Sequence, residues 1–291
     1  LLPLFALLLP AMAVPITRVS IALATAVAVW AGVTIVRAHP IDWEAYQTGE
    51  KELGIVDERE FWTLAVGREL TDPPRYAEDF LGSKLMRNWE DALDTAIDAD
   101  AAQLNLAYVS AEPELYSWYY RDREDGESDL SNLPLTAYLI NLGMTSMNAP
   151  LDVRILDTVG LATPIAARMP RDPEGRVGHD KFLDPAWQAA DTDTYLDGLP
   201  PFISSMRAKQ ARAALRSPEI SELLATSREP MSWERFWKNV RYSLGNGRTL
   251  QLSSDPGLYI DADTRRAIRR GANPGMDGAQ IAWPVEAHSG E

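Results

Sequence analysis

The run Leu151-Asp152-Val153-Arg154-Ile155-Leu156-Asp157-Thr158-Val159-Gly160-Leu161 decides how this chain is read. Leu151, Val153, Ile155 and Leu156 form a short apolar segment that ends on a carboxylate and a glycine. That is the pattern of a buried strand delivering polar groups to its C-terminal edge. Two further apolar runs, 104–109 and 137–142, also read as strands. Short strands separated by helical and turn segments predict a small α/β domain with a partly parallel sheet. Downstream of Asp157, a loop rich in Pro, Arg, Asp and Gly (168–178) leads into His179, Asp180 and Lys181. Such loops lie at the surface and often carry function. Asp157, Arg168, His179, Asp180 and Lys181 are therefore the candidate binding cluster. Arg168 and Lys181 would donate, and Asp157 and Asp180 accept, toward an anion or a polyol. The competing reading is a salt-bridged knot that fixes the loop under the sheet.

Working outward, residues 1–37 are a different material. They hold no acid and two basic residues, Arg18 and Arg37. Residues 1–14 are almost wholly apolar, a short connection through Arg18 follows, and 19–36 are uncharged. Two apolar segments flanking an arginine predict two transmembrane helices rather than a cleaved leader. Arg18 on the inner side would send the following segment outward. The chain begins on Leu1 inside an apolar segment, which reads as the C-terminal piece of a longer polytopic protein. The net charge is -14, and setting Arg18 and Arg37 aside leaves -16 on the remainder. An acidic surface of that kind argues against a nucleic-acid partner. With no cysteine there is no disulfide framework.

The helical readings are 57–68, one amphipathic helix over 78–99, and then 203–215, 218–226 and 232–242. Domain boundaries follow as 1–37, an extracytoplasmic α/β domain over 38–190, a helical portion over 191–270, and an extended or disordered tail over 271–291. Trp233, Phe236, Trp237 and Val240 fall on one helical stripe, the pattern of a core-facing surface. Gly245-Asn246-Gly247 reads as a tight turn between short strands. Trp118-Tyr119-Tyr120 reads as a core edge with wet polar tips, sugar stacking being the sharper alternative. The acidic run after it reads as a solvated loop, because a calcium-loop register puts Arg121 and Arg123 where carboxylates are needed. His39, His179 and His288 show no metal-ligand spacing, and no serine elbow, P-loop or dinucleotide fingerprint is present.

The runs Asn141-Leu142-Gly143-Met144-Thr145-Ser146-Met147-Asn148-Ala149-Pro150, Asp157-Thr158-Val159-Gly160-Leu161, Ala166-Ala167-Arg168 and Gly178-His179-Asp180-Lys181 carry a resemblance. Together they resemble the C-terminal region of actinobacterial membrane arabinofuranosyltransferases, and more broadly the outer domain of GT-C glycosyltransferases. The resemblance implies a multi-pass enzyme of the cell membrane with its soluble domain extracytoplasmic. It implies transfer of arabinofuranose from decaprenyl-phosphoryl arabinose, in β(1→2) linkage, to cell-wall arabinan. The implied partners are that lipid-linked donor, the arabinan acceptor and membrane lipid, with no cofactor. The family's acidic base belongs to an early loop upstream of this chain, so the fragment alone would not catalyse. Thr163-Pro164 departs from relatives that carry Asp or Asn before that proline. The rival reading is a non-catalytic, membrane-anchored glycan-binding or interaction protein of the envelope.

Overall fold

The computed structural model describes residues 17–38, 57–124, 133–175 and 178–271. Two compact units divide the chain after Val56. In the first, Arg18–Ala38 forms a single helix, α1. The earlier expected membrane segment, 1–14, lies outside the described residues. Among the described residues no helix is long and apolar enough to cross a membrane, so the expected two transmembrane helices are not supported. The uncharged stretch of α1 rises only about 27 Å, short of a hydrocarbon core of about 30 Å. Within it the Thr25 and Thr34 hydroxyls donate back to the Ile21 and Trp30 carbonyls at 2.9 Å.

The second unit is built on a four-stranded sheet. Its strands are β1 (Gln103–Ala111), β2 (Glu114–Arg121), β3 (Thr136–Leu139) and β4 (Arg154–Asp157), in the order β2-β1-β3-β4. β1 pairs antiparallel with β2 and parallel with β3, and β3 pairs parallel with β4. The expected mixed α/β class and partly parallel sheet are therefore present. β4 starts three residues later than the apolar run implied, because Leu151 is wholly exposed and the turn through it precedes the strand.

Every residue of β3 is buried, as expected for a central strand covered on both faces. Ala137 and Leu139 point to one side, against Met86, Trp89, Leu93 and Met144. Tyr138 points to the other, against Ile165, Trp187, Ile220 and Leu224. The first side is covered by α2 (Glu58–Ala65), α3 (Trp89–Asp98) and α4 (Leu142–Met147). The second is covered by α5 (Pro164–Arg168), α6 (Pro185–Ala190), α7 (Ser205–Ala214) and α8 (Pro218–Arg228). Beyond α8 come α9 (Trp233–Leu244), α10 (Asn246–Thr249) and α11 (Ala262–Arg269).

Three local readings are corrected. The helix expected over 78–99 is two short 3-10 turns, Ala77–Gly82 and Lys84–Met86, followed by α3. Ser83 is extended and Asn88 is left-handed at φ 58°, so the helical path breaks twice. Gly245-Asn246-Gly247 opens α10 instead of a hairpin, and a Cβ on Gly247 would overlap the Tyr242 ring that packs there. The outward stripe of α9 is exposed rather than core-facing: Trp233, Phe236 and Trp237 all lie at the surface. The tail over 272–291 lies outside the described residues.

Candidate functional site

Asp157 ends β4 and is fully buried. Its Oδ1 accepts the backbone N–H groups of Val159 (3.1 Å), Gly160 and Leu161 (2.7 Å). Its Oδ2 accepts those of Ala162 (2.7 Å) and Thr163 (2.9 Å), while the Asp157 N–H donates to Thr163 Oγ1 at 2.9 Å. Burial by itself raises the carboxyl's pKa. The N–H groups of Ala162, Leu161, Thr163 and Gly160 outweigh it and hold the pKa below the ordinary carboxylate value. The loop is thus wound around its own strand's terminal carboxylate. Gly160 sits at φ 92°, and a Cβ there would overlap the backbone of Ala166 and Ala167 in α5.

The other end of the motif is tied to the same loop, since the Leu183 N–H donates to the Thr158 carbonyl at 2.7 Å. Asp180 is buried, and the Arg171 guanidinium that hydrogen-bonds it lowers its pKa. The Asp172 N–H also donates to the Asp180 carbonyl at 2.6 Å, closing the turn that carries Gly175. Arg168 ends α5, half-buried. Its carbonyl accepts the Leu252 N–H at 2.7 Å, and its positive charge works to lower the raised pKa of Tyr242. His179 and Lys181 are half-exposed on the loop. Among the described residues no ion pair joins Asp157, Arg168, Asp180 and Lys181 to one another. The two carboxylates hold the loops in shape, and Arg168, His179 and Lys181 occupy partly open positions around them.

Behind β3 and β4 lies a polar network that sequence reasoning missed. Asp191, at the C-terminal end of α6, is fully buried. It takes a two-pronged grip from Arg228 (2.7 and 2.6 Å), a hydrogen bond from the Tyr138 hydroxyl (3.1 Å) and the Arg154 charge at 3.6 Å. Burial pushes its pKa up, and Arg228 and Arg154 more than reverse the effect. Arg212 adds hydrogen bonds to the Thr192 and Thr194 carbonyls and an ion pair with Glu124 at 2.5 Å. Arg121, read as the start of a solvated loop, is likewise buried and donates to Gln103 Oε1 at 2.9 Å. The remainder of that loop, 125–132, lies outside the described residues. The phase of the arginines was the available signal. Arg228 continues the buried spacing of Ile220 and Leu224, and Arg212 follows Ala208 by four.

On the opposite side of the sheet, α3 and β2 enclose an open groove of about 450 Å³. The β1–β2 register sets Tyr120 opposite Leu104, Trp118 opposite Leu106 and Tyr116 opposite Tyr108, so these rings share one face. Trp118 packs on Trp89 at 4.9 Å between ring centres and donates its indole N–H to the Arg87 carbonyl at 2.9 Å. Tyr120 stays 41% exposed at the rim. Facing this aromatic wall are Asn88, just before α3, and Asp91 and Thr95 on it. An apolar ring face opposite a carboxylate and an amide suits a neutral hydroxyl-rich ligand. Among the described residues no group of three His, Asp or Glu side chains could hold a metal ion.

Residues 82–262 match the AftB family C-terminal domain. Over 297 aligned residues the chain is 41% identical to a terminal β-(1→2)-arabinofuranosyltransferase of Corynebacterium glutamicum, covering 98% of this chain and 42% of that protein. A protein of the same name from Mycobacterium tuberculosis H37Rv is 32% identical over 197 residues, covering 65% of this chain and 30% of the relative. The chain thus spans less than half the length of these curated relatives. No solved structure matches it.

Proposed function

The chain belongs to the AftB family, whose C-terminal domain it carries, and from that premise we propose that its parent protein transfers arabinofuranose while this domain holds the acceptor glycan. The observation that carries the reading is the 41% identity to an enzyme of that name along 98% of this chain. In finer terms, the donor is decaprenyl-phosphoryl arabinose and the acceptor is the non-reducing end of cell-wall arabinan. The parent works in the cell membrane with this domain on the outer side. The exposed Val, Ile, Leu and Trp side chains along α1 favour an apolar neighbour there. The base that activates the acceptor hydroxyl belongs to the part of the parent outside this chain.

Two surfaces of the domain serve the acceptor in this reading. The groove beside β2 offers Tyr116, Trp118 and Tyr120 as a stacking wall and Asp91 as a hydroxyl acceptor. Arg168, His179 and Lys181 supply polar contacts on the loops that Asp157 and Asp180 hold in place. A transfer assay on membranes containing the full-length parent tests this, with decaprenyl-phosphoryl arabinose and an arabinan oligosaccharide. Tyr120→Ala with Asp91→Ala, and separately His179→Ala with Lys181→Ala, should raise the acceptor KM several-fold at unchanged protein levels. If the wild type consumes a different polyprenyl-phosphate sugar and leaves the arabinose donor untouched, the arabinose assignment falls and the lipid-linked donor class stands.

A further inference from the structure

The aromatic face of α9 is turned outward because the polar face of the helix is what the protein holds. Ser232 caps its N-terminus, its Oγ accepting the Arg235 N–H at 3.0 Å. Arg235 is buried between Glu222 at 2.5 Å and Glu229 at 2.9 Å, and its Nε donates to Asn239 Oδ1 at 2.7 Å. Asn239 in turn donates to the Thr226 carbonyl at 2.9 Å. These bonds fix the rotation of the helix and commit the residues three and four positions apart on the other side to solvent. Trp233 is 76% exposed, Phe236 42%, Trp237 43% and Leu244 77%.

The three rings cover one another as a ridge. Trp233 and Phe236 stack at 5.7 Å and 14°, and Trp237 meets them edge-on at 5.6 and 5.2 Å. Ordered apolar clusters of this kind on a surface mark a contact with something that is not water. The charge around the ridge says what. In an acidic chain, residues 232–250 hold one acid, Glu234, against Arg235, Lys238, Arg241 and Arg248. Arg235 is spent on its buried pairs, while Lys238, paired at the surface with Glu234 at 3.0 Å, and Arg241 and Arg248 are exposed beside the rings. Protein–protein interface cores are depleted in lysine. A short helix with Trp, Phe and Leu on one face and Lys and Arg along its flank is instead the pattern of a helix lying in a lipid interface.

We propose that α9 rests in the headgroup region of a bilayer, with Trp233, Phe236, Trp237 and Leu244 entering the acyl boundary and Lys238, Arg241 and, on the adjoining α10, Arg248 meeting lipid phosphates. The inference rests on α9 and the turn of helix that follows it, and is independent of the sugar or linkage assigned above.

The absence of cysteine makes the test direct, since single cysteines carry a nitroxide label without background. The whole chain is reconstituted in vesicles of mixed phosphatidylcholine and phosphatidylglycerol, labelled at Phe236→Cys, Leu244→Cys or, on the polar flank beside Lys238, Glu234→Cys. Each label reports its own position, so association through α1 does not confound the reading. The ratio of oxygen to aqueous nickel-chelate accessibility should be several-fold higher at 236 and 244 than at 234. It should collapse to the value at 234 when lipid is removed in a non-micellar polymer. Equal accessibility of all three positions in vesicles overturns the proposal. So does shielding of 236 and 244 that persists without lipid, which would identify a protein cover, a second copy included. Circular dichroism of each labelled chain confirms that the fold is kept.

Discussion

Replacing Asp157 by Asn changes one buried oxygen into an NH2 group and nothing in shape. In the native loop, Oδ2 accepts from Ala162 and Thr163, and Oδ1 accepts from Val159, Gly160 and Leu161. An amide keeps one oxygen. Placed to retain the three donors on Oδ1, it turns its own N–H groups against the two on the other side. A buried donor left unpaired costs about 1–3 kcal/mol, so the pair costs about 2–6 kcal/mol. A loss of about 3 kcal/mol corresponds to a fall in Tm of roughly 6–12 °C for a domain of this size. Thermal and urea unfolding of the chain, wild type against Asp157→Asn, read this directly. The depressed pKa adds a second arm. Because the folded-state pKa lies below the unfolded one, the stabilisation is complete above the unfolded value of about 3.9 and is lost as pH falls through the folded value. The gap between the two proteins should therefore close in strongly acidic solution. A Tm within about a degree of wild type, together with a raised acceptor KM in the parent enzyme, would falsify the loop-anchor account and return Asp157 to the ligand.

The buried network predicts an effect of similar size at Asp191, whose replacement by Ala strands Arg228 and Arg154. The loss should be about 3–5 kcal/mol by urea titration. A loss under about 1 kcal/mol would mean that water reaches the guanidinium groups. Gly160→Ala forces a Cβ into the α5 backbone at a left-handed φ and should cost roughly 2–4 kcal/mol. An unchanged midpoint there would show that the loop moves freely away from α5. In the groove, Tyr120→Ala should leave the unfolding midpoint within about 0.5 kcal/mol, because the ring is at the rim, yet weaken titration of the chain with an arabinan oligosaccharide followed by tryptophan fluorescence. Equal binding by both proteins would remove the groove from the acceptor path.

Much of the fold was written in local pattern. The apolar run from Ala137 that holds β3, the carboxylate that ends β4 with the glycine beyond it, and the proline- or serine-started helices α7 to α9 act within a few residues of themselves. For that reason periodicity and capping found them. β2 was lost because Trp118, Tyr119 and Tyr120 are amphipathic, and only pairing with β1 shows which rings share a face. The single helix expected over 78–99 failed because an apolar phase of period 3.6 persists across Ser83 and Asn88 even where the backbone leaves the helix.

The candidate cluster divided in the same way. Sequence alone determined that Asp157 closes a strand of a small α/β sheet and that the Gly178-His179-Asp180-Lys181 run lies on a loop beyond it, since strand ends and glycines fix that locally. Only the tertiary structure decided what each charge does. Asp157 is consumed by five N–H groups of its own loop and Asp180 by Arg171, while Arg154, Arg212 and Arg228 are drawn into a core that composition alone assigns to the surface. The rotation of α9 was decided the same way, by Glu222 and Glu229 gripping Arg235 from outside the helix. A charged side chain goes where its partner waits, and partners distant in sequence meet only after the chain has folded.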